Sequence, residues 1–176
     1  MFPSKTAILS GGAGLVNQYS LAFDGSDDYV DCGDPVALRA GTSAFSVSFW
    51  VNLTTAAQPK EFITKGMGQG AGDAGDGWGI SVTDDGRVLF DVYDSGTTRD
   101  TTQTPLSSFV TKTWTHICVV RPASNGTRFI YLDGVSSGNA PALSVSTIAD
   151  TGQNFKMGVG QGDRYFVGRI DEVGYW

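Results

Sequence analysis

Glutamate is almost missing from this 176-residue chain: Glu61 and Glu172 are the only two among 18 acidic positions, so aspartate supplies the rest. Charge as a whole is sparse, at 17% against about 25% in ordinary soluble domains. A chain poor in glutamate and rich in aspartate is a poor helix former. Cations are scarce too. Twelve Lys and Arg leave a net charge of −6, and a pI near 4.5 excludes the clustered basic surface that nucleic-acid phosphates need. No apolar run approaches the roughly 20 residues of a membrane-spanning helix. From Met1 to Val16 the chain offers only Ala7-Ile8-Leu9 as an apolar core before its glycines, too short for a secretory signal. The expectation is a piece of a larger protein, or a chain that reaches its destination by another route.

The scarce reactive residues narrow the chemistry further. His116 is the only histidine, which removes zinc sites built on several histidines. Its place in a strand-like run two residues after Trp114 reads as a packed, hydrogen-bonded side chain rather than a catalytic one. The two cysteines, Cys32 and Cys118, each fall in a predicted strand. A bridge between them is geometrically open, but two buried thiols acting as small hydrophobes is the expected state.

What the chain has in quantity is glycine, 24 positions, together with alternation. Phe45, Val47, Phe49 and Val51 recur at every second residue and predict one buried strand face; Val88, Phe90 and Val92 predict another, and Ile130 with Leu132 a third. Further strands are expected at 19–23, 28–32, 61–65, 78–83, 114–121, 155–159 and 165–176, with a short helical turn within 35–40. Asp84-Asp85-Gly86, Asn125-Gly126 and Asp133-Gly134 are hairpin-turn sequences. Short strands at this spacing predict an all-β fold, a two-sheet sandwich or jelly roll. Residues 1–18 read as an extension or linker and 19–176 as one domain.

Several patterns invite a functional reading. Gly70 to Gly75 satisfies the dinucleotide fingerprint literally, yet a strand-like Trp78–Val82 follows where a helix is required; the match is accidental. Asp91 is the one carboxylate pointing away from the core in mid-strand. Its same-face neighbours Leu89 and Tyr93 offer no second acid for glycoside hydrolysis, and a solvated surface position is expected. Asp24, Asp27, Asp28, Asp73, Asp76 and Asp171 lie at strand ends or in loops, where carboxylates suit a hard cation such as calcium. Trp50, Tyr93, Phe129 and Tyr131 stand opposite the core, where aromatic rings can carry a sugar or form a small second core.

Ser20 to Val30, Phe45 to Val51, Trp114 to Val120, Tyr131 to Val135 and Phe166 to Val173 together resemble, in order, the laminin-G-like jelly-roll domains of the concanavalin A-like lectin/glucanase superfamily. The resemblance implies two antiparallel sheets with the closing strand beside the first, which would bring Asp24 and Asp171 together around one structural calcium ion. The glucanases' E-x-D-x-x-E pattern is absent, so no enzymatic activity is expected and a glycoside hydrolase is the last of the three readings. The implied function is a non-catalytic module that binds a glycan or a glycosylated surface, with Trp78, Tyr93, Arg99, Arg164 and Tyr165 as contacts and Asp76 as acceptor. The alternative is a structural or adhesion domain of a virion or surface protein, working through protein contacts as a homo-oligomer or beside neighbouring domains. Either reading places the chain outside the cell, at a cell surface or on a virion.

Overall fold

The computed structural model describes residues 19–55, 60–66, 76–94, 98–123, 126–140, 144–149, 152–160 and 162–176. They form two antiparallel six-stranded sheets packed face to face. The strands are β1 (Leu21–Asp24), β2 (Val30–Asp31), β3 (Phe45–Leu53), β4 (Lys60–Gly66), β5 (Gly77–Val82) and β6 (Val88–Tyr93), followed by β7 (Arg99–Gln103), β8 (Thr115–Arg121), β9 (Arg128–Leu132), β10 (Val135–Ala140), β11 (Phe155–Met157) and β12 (Val167–Tyr175). One sheet runs β1-β12-β3-β8-β9-β10 and the other β2-β11-β4-β5-β6-β7. The expected sandwich is therefore present, and the closing strand β12 pairs with β1 on one side and β3 on the other. The only helical element among the described residues is a single 3-10 turn, Val36–Leu38.

The core follows from alternation. Phe45, Val47, Phe49 and Val51 point inward and are buried, and they meet Trp78, Ile80 and Val82 of the other sheet. Phe45 lies 5.2 Å from Trp78 and stacks on Tyr175 at 5.3 Å, so rings from three strands converge. Burying rings of this size is the main favourable term, and truncating one such phenylalanine to alanine costs about 3–5 kcal/mol. The Asp133-Gly134 turn has both residues at positive φ, 51° and 79°, as a type I′ hairpin between twisted strands requires. Gly86, at φ 76°, turns the chain between β5 and β6, its N–H donating to the Thr83 carbonyl at 3.1 Å; Asn125 lies outside the described residues.

Two expectations need correction. Cys32 is exposed, Cys118 is half-buried, and both are free thiols, because they sit on different sheets rather than inside the core. Burial raises the pKa of each thiol, and at Cys32 the neighbouring Asp31 charge adds to it. Asp24 and Asp171 do not meet. Asp24 pairs with Val167 and Leu21 with Ile170, so Asp171 lies about 14 Å further along β12 at about 3.4 Å per residue.

Candidate functional site

The outward face of the second sheet carries an unusual concentration of buried charge. Its register sets out the positions. Asp31, Lys156, Thr64, Gly79, Asp91 and Thr101 form one row across all six strands. Glu61 and Ser81 lie in the next row on one side, Tyr93 and Arg99 in the next row on the other.

Glu61 owes its place to an irregularity in β4. The register shifts between Glu61 and Ile63, and this bulge lets both Phe62 and Ile63 enter the core while Glu61 stays on the outward side. The chain between β11 and β12 then covers the carboxyl. Gly160 packs so tightly on it that a Cβ there would overlap Glu61 Cγ and Cδ. Arg164 from the same connection donates to Glu61 Oε1 at 3.1 Å, while Oε2 is buried with no described partner. Glu61 is only 3% exposed. Burial pushes its pKa from 4.5 to about 7, against the attraction of Arg164 and with a smaller push from Asp91.

Asp91 corrects the expectation of a solvated surface position: it is 1% exposed. Arg99 grips it with two parallel bonds of 3.0 and 2.8 Å, and the Thr101 hydroxyl donates a third at 2.5 Å. The Arg99 guanidinium also lies 5.9 Å from the centre of the Tyr93 ring. Burial raises the pKa of the Tyr93 hydroxyl, while the charges of Arg99 and Arg164 pull it down. Tyr93, Arg99 and Arg164, all expected contacts, thus share one neighbourhood with Asp91 and Glu61.

The other expected contacts lie elsewhere. Trp78 is fully buried in the core, because it follows the inward period of Ile80 and Val82. Asp76 is also buried, against Gly66, so neither offers a ligand-facing surface. Tyr165 has Asp163, Tyr29 and Asp27 as its electrostatic neighbours rather than the Glu61 group. On the first sheet, Trp50 packs at 5.2 Å against His116, and Phe129 lies 6.3 Å from Tyr131. Asp73 and the rest of 67–75, including the fingerprint-like glycines, lie outside the described residues.

An acidic turn follows β1. Ligand oxygens of Asp24, Asp27 and Asp28 lie within 4.8 Å of one another. Calcium–oxygen distances of about 2.4 Å put opposite ligands about 4.8 Å apart, so this donor set fits one hard cation. The turn is held by Ser26 N–H donating to Asp24 Oδ1 at 2.7 Å and Asp24 N–H donating to Asp28 Oδ2 at 3.0 Å. Further carboxylate oxygens remain to face a metal.

Two buried arginines close one end of the sandwich. Arg121 donates to the carbonyls of Ser43 and Ser146, and Arg128 to that of Val145. Asp100 stands 3.6 Å from Arg128 and accepts from the Val145 N–H at 2.5 Å. These groups join strands to a loop and serve the scaffold.

The chain belongs to the concanavalin A-like lectin/glucanases superfamily, whose laminin-G model matches residues 24–176. Among solved structures it is similar to the Ruminococcus gnavus sialidase carbohydrate-binding module CBM40 described as bound to α2,3-sialyllactose. The TM-score there is 0.74 at 15% identity, over 90% of this chain and 89% of that one. Domains LG4-5 of the mouse laminin α1 chain align with a TM-score of 0.66 at 16% identity, covering 92% of this chain and 41% of that one. The botulinum neurotoxin serotype D binding domain aligns at 0.68 and 12% identity, over 89% of this chain and 38% of that one. These likenesses establish the fold. Comparison with curated protein sequences finds no match.

Proposed function

We propose that this domain is a non-catalytic module that binds a glycan on the outward face of its second sheet, around Tyr93, Arg99 and Arg164. The observation that carries this reading is the pair of fixed guanidinium groups beside a half-buried tyrosine. Arg99 and Arg164 are each anchored to a buried carboxylate, yet their side chains remain 45% and 39% exposed. A guanidinium held in this way keeps further N–H donors for sugar hydroxyls or a sugar carboxylate at little entropic cost. Tyr93 adds a ring on which a pyranose can stack. The carbohydrate-binding module of similar fold supports the reading, which places the domain outside the cell or at a surface.

The same geometry argues against hydrolysis. Both oxygens of Asp91 are engaged by Arg99, with Thr101 as an added donor, so neither is placed to activate water. Glu61 is covered by Gly160 and paired with Arg164. A glycan array probed with the wild type and with Arg99→Ala tests the proposal: binding that disappears in the variant is expected. A blank array with and without calcium, or binding indifferent to Arg99→Ala and Tyr93→Ala, overturns it.

We further propose one structural calcium held by Asp24, Asp27 and Asp28, in place of the expected Asp24–Asp171 pair. A cation bound only to the folded state stabilises by about 2.7 kcal/mol at a hundredfold excess over Kd. Chelator should therefore lower the melting temperature of the wild type and leave Asp27→Asn unaffected. A wild type indifferent to chelator removes the site.

A further inference from the structure

The outward face of the first sheet holds a cavity of about 340 Å³, bordered by Ala22, Asn52, Thr54, Trp114 and Arg169. It is separate from the Glu61 group, which lies on the other sheet. Register explains its composition. Ala22 pairs with Arg169, and Arg169 with Asn52. Asn52 stands one residue beyond the Val51–Thr115 pair, opposite Trp114. Side chains alternate along strands, so these four form one row on one face. Phe23, Ile170 and Val51, their neighbours in sequence, all point into the core. Thr54 enters from the end of β3.

The polar groups in this row are uncommitted. Among the described residues, none hydrogen-bonds or ion-pairs with the side chains of Asn52, Thr54, Trp114 or Arg169. Arg169 stands out most. At the other sheet, Arg99 of β7 and Arg164 of the β11–β12 connection each hold a carboxylate, and Arg121 and Arg128 are tied to loop carbonyls. Arg169 is exposed on the face that also carries Asp171, with Asp24 one row away, yet it pairs with neither. Its fork of N–H donors matches a carboxylate bidentately. Asn52 and Thr54 supply both donors and acceptors, and Trp114 supplies an indole N–H and an apolar ring.

We propose that this cavity is a second ligand site that takes one carboxylated hexopyranose unit. Arg169 holds the carboxylate, Asn52 and Thr54 exchange hydrogen bonds with ring hydroxyls, and the Trp114 ring covers one sugar face. The volume lies at the low end of ligand pockets, about 300–1,000 Å³, which suits a single ring. The flanking Asp24 and Asp171 disfavour polyanionic sugars and restrict the ligand to one negative charge.

The test is a titration with sodium glucuronate, glucose and acetate at constant ionic strength. It is followed by the indole N–H resonance of Trp114, assigned by its loss in Trp114→Phe. Glucuronate is expected to shift that resonance and to bind about tenfold more tightly than glucose or acetate, the scale of a charge-assisted hydrogen-bond pair. Arg169→Gln, an exposed substitution, should remove that advantage. Arg99→Ala should leave it intact while abolishing array binding at the other face, so the two sites fail independently. Equal affinity for glucose and glucuronate, full binding by Arg169→Gln, or loss of binding in Arg99→Ala would each overturn the proposal.

Discussion

Replacing Glu61 by glutamine isolates the energetic consequence of burying a carboxyl beneath Gly160. In the unfolded chain this group titrates near 4.5, and in the folded protein near 7. Below pH 4.5 both states hold the proton, and the residue costs nothing extra. Between 4.5 and 7 only the folded state retains it, so stability falls as pH rises, by about 1.4 kcal/mol per pH unit. Above 7 the loss is complete, at about 3 kcal/mol. Glutamine stays neutral throughout and nearly preserves the shape. Glu61→Gln should therefore match the wild type near pH 4.5 and exceed it by about 3 kcal/mol at pH 8.5. For a chain of this size that is about 6–12 °C in melting temperature. Urea denaturation at half-unit pH steps provides the assay, with a constant m-value confirming two-state behaviour. The carboxyls of Asp31 and Asp34 have lowered pKa values, through hydrogen bonds from Asn154 and from Arg39 respectively. Their stabilisation is present above pH 3.8 and is lost only as pH falls below it, outside the window in question. Parallel stability curves for wild type and variant from pH 4.5 to 8.5 would refute the reasoning.

Three other outcomes follow from the same geometry. Gly160→Ala forces a methyl into Glu61 and should destabilise by about 1–3 kcal/mol, measurable by thermal melting; an unchanged melting temperature would mean that the cover over Glu61 is loose. Asp91→Asn leaves Arg99 without its bidentate partner and should cost about 1–3 kcal/mol, with weakened glycan binding on the same array. Iodoacetamide at mildly alkaline pH should label Cys32 before Cys118, read by mass spectrometry of the intact protein and its peptides, because Cys32 is the more exposed.

The scaffold was legible in the sequence wherever strands alternate, because a half-buried strand writes its facing into every second residue. β3 is the clearest case, and the same period also assigns Trp78 to the core beside Ile80 and Val82. β7 was invisible. Arg-Asp-Thr-Thr-Gln carries no apolar residue, since its buried positions Asp100 and Thr102 are polar. Missing β7 hid the partner of Asp91, which is why a bidentate pair read as a solvated acid. Glu61 was hidden for a different reason. Its cover comes from Gly160 and Arg164, about a hundred residues later, and no local pattern announces a contact of that separation. Asp24 and Asp171 failed through register: the adjacency of their strands was foreseen, the stagger along them was not.

The position of β12 between β1 and β3 bears on how the protein is made. Strand β1 is synthesised first and its hydrogen-bonding partner last, so the first sheet stays split throughout translation. At a synthesis rate of about 5–20 residues per second, the nascent chain spends about 8–30 s with β1 unpaired and one edge of β3 open. Tyr175, whose ring stacks on Phe45 at 5.3 Å, can join the core only in that final step. Protection of nascent β1 and β3 until the ribosome has passed residue 175 is thus a demand set by topology, one that a circular permutant joining β12 directly to β1 would relieve.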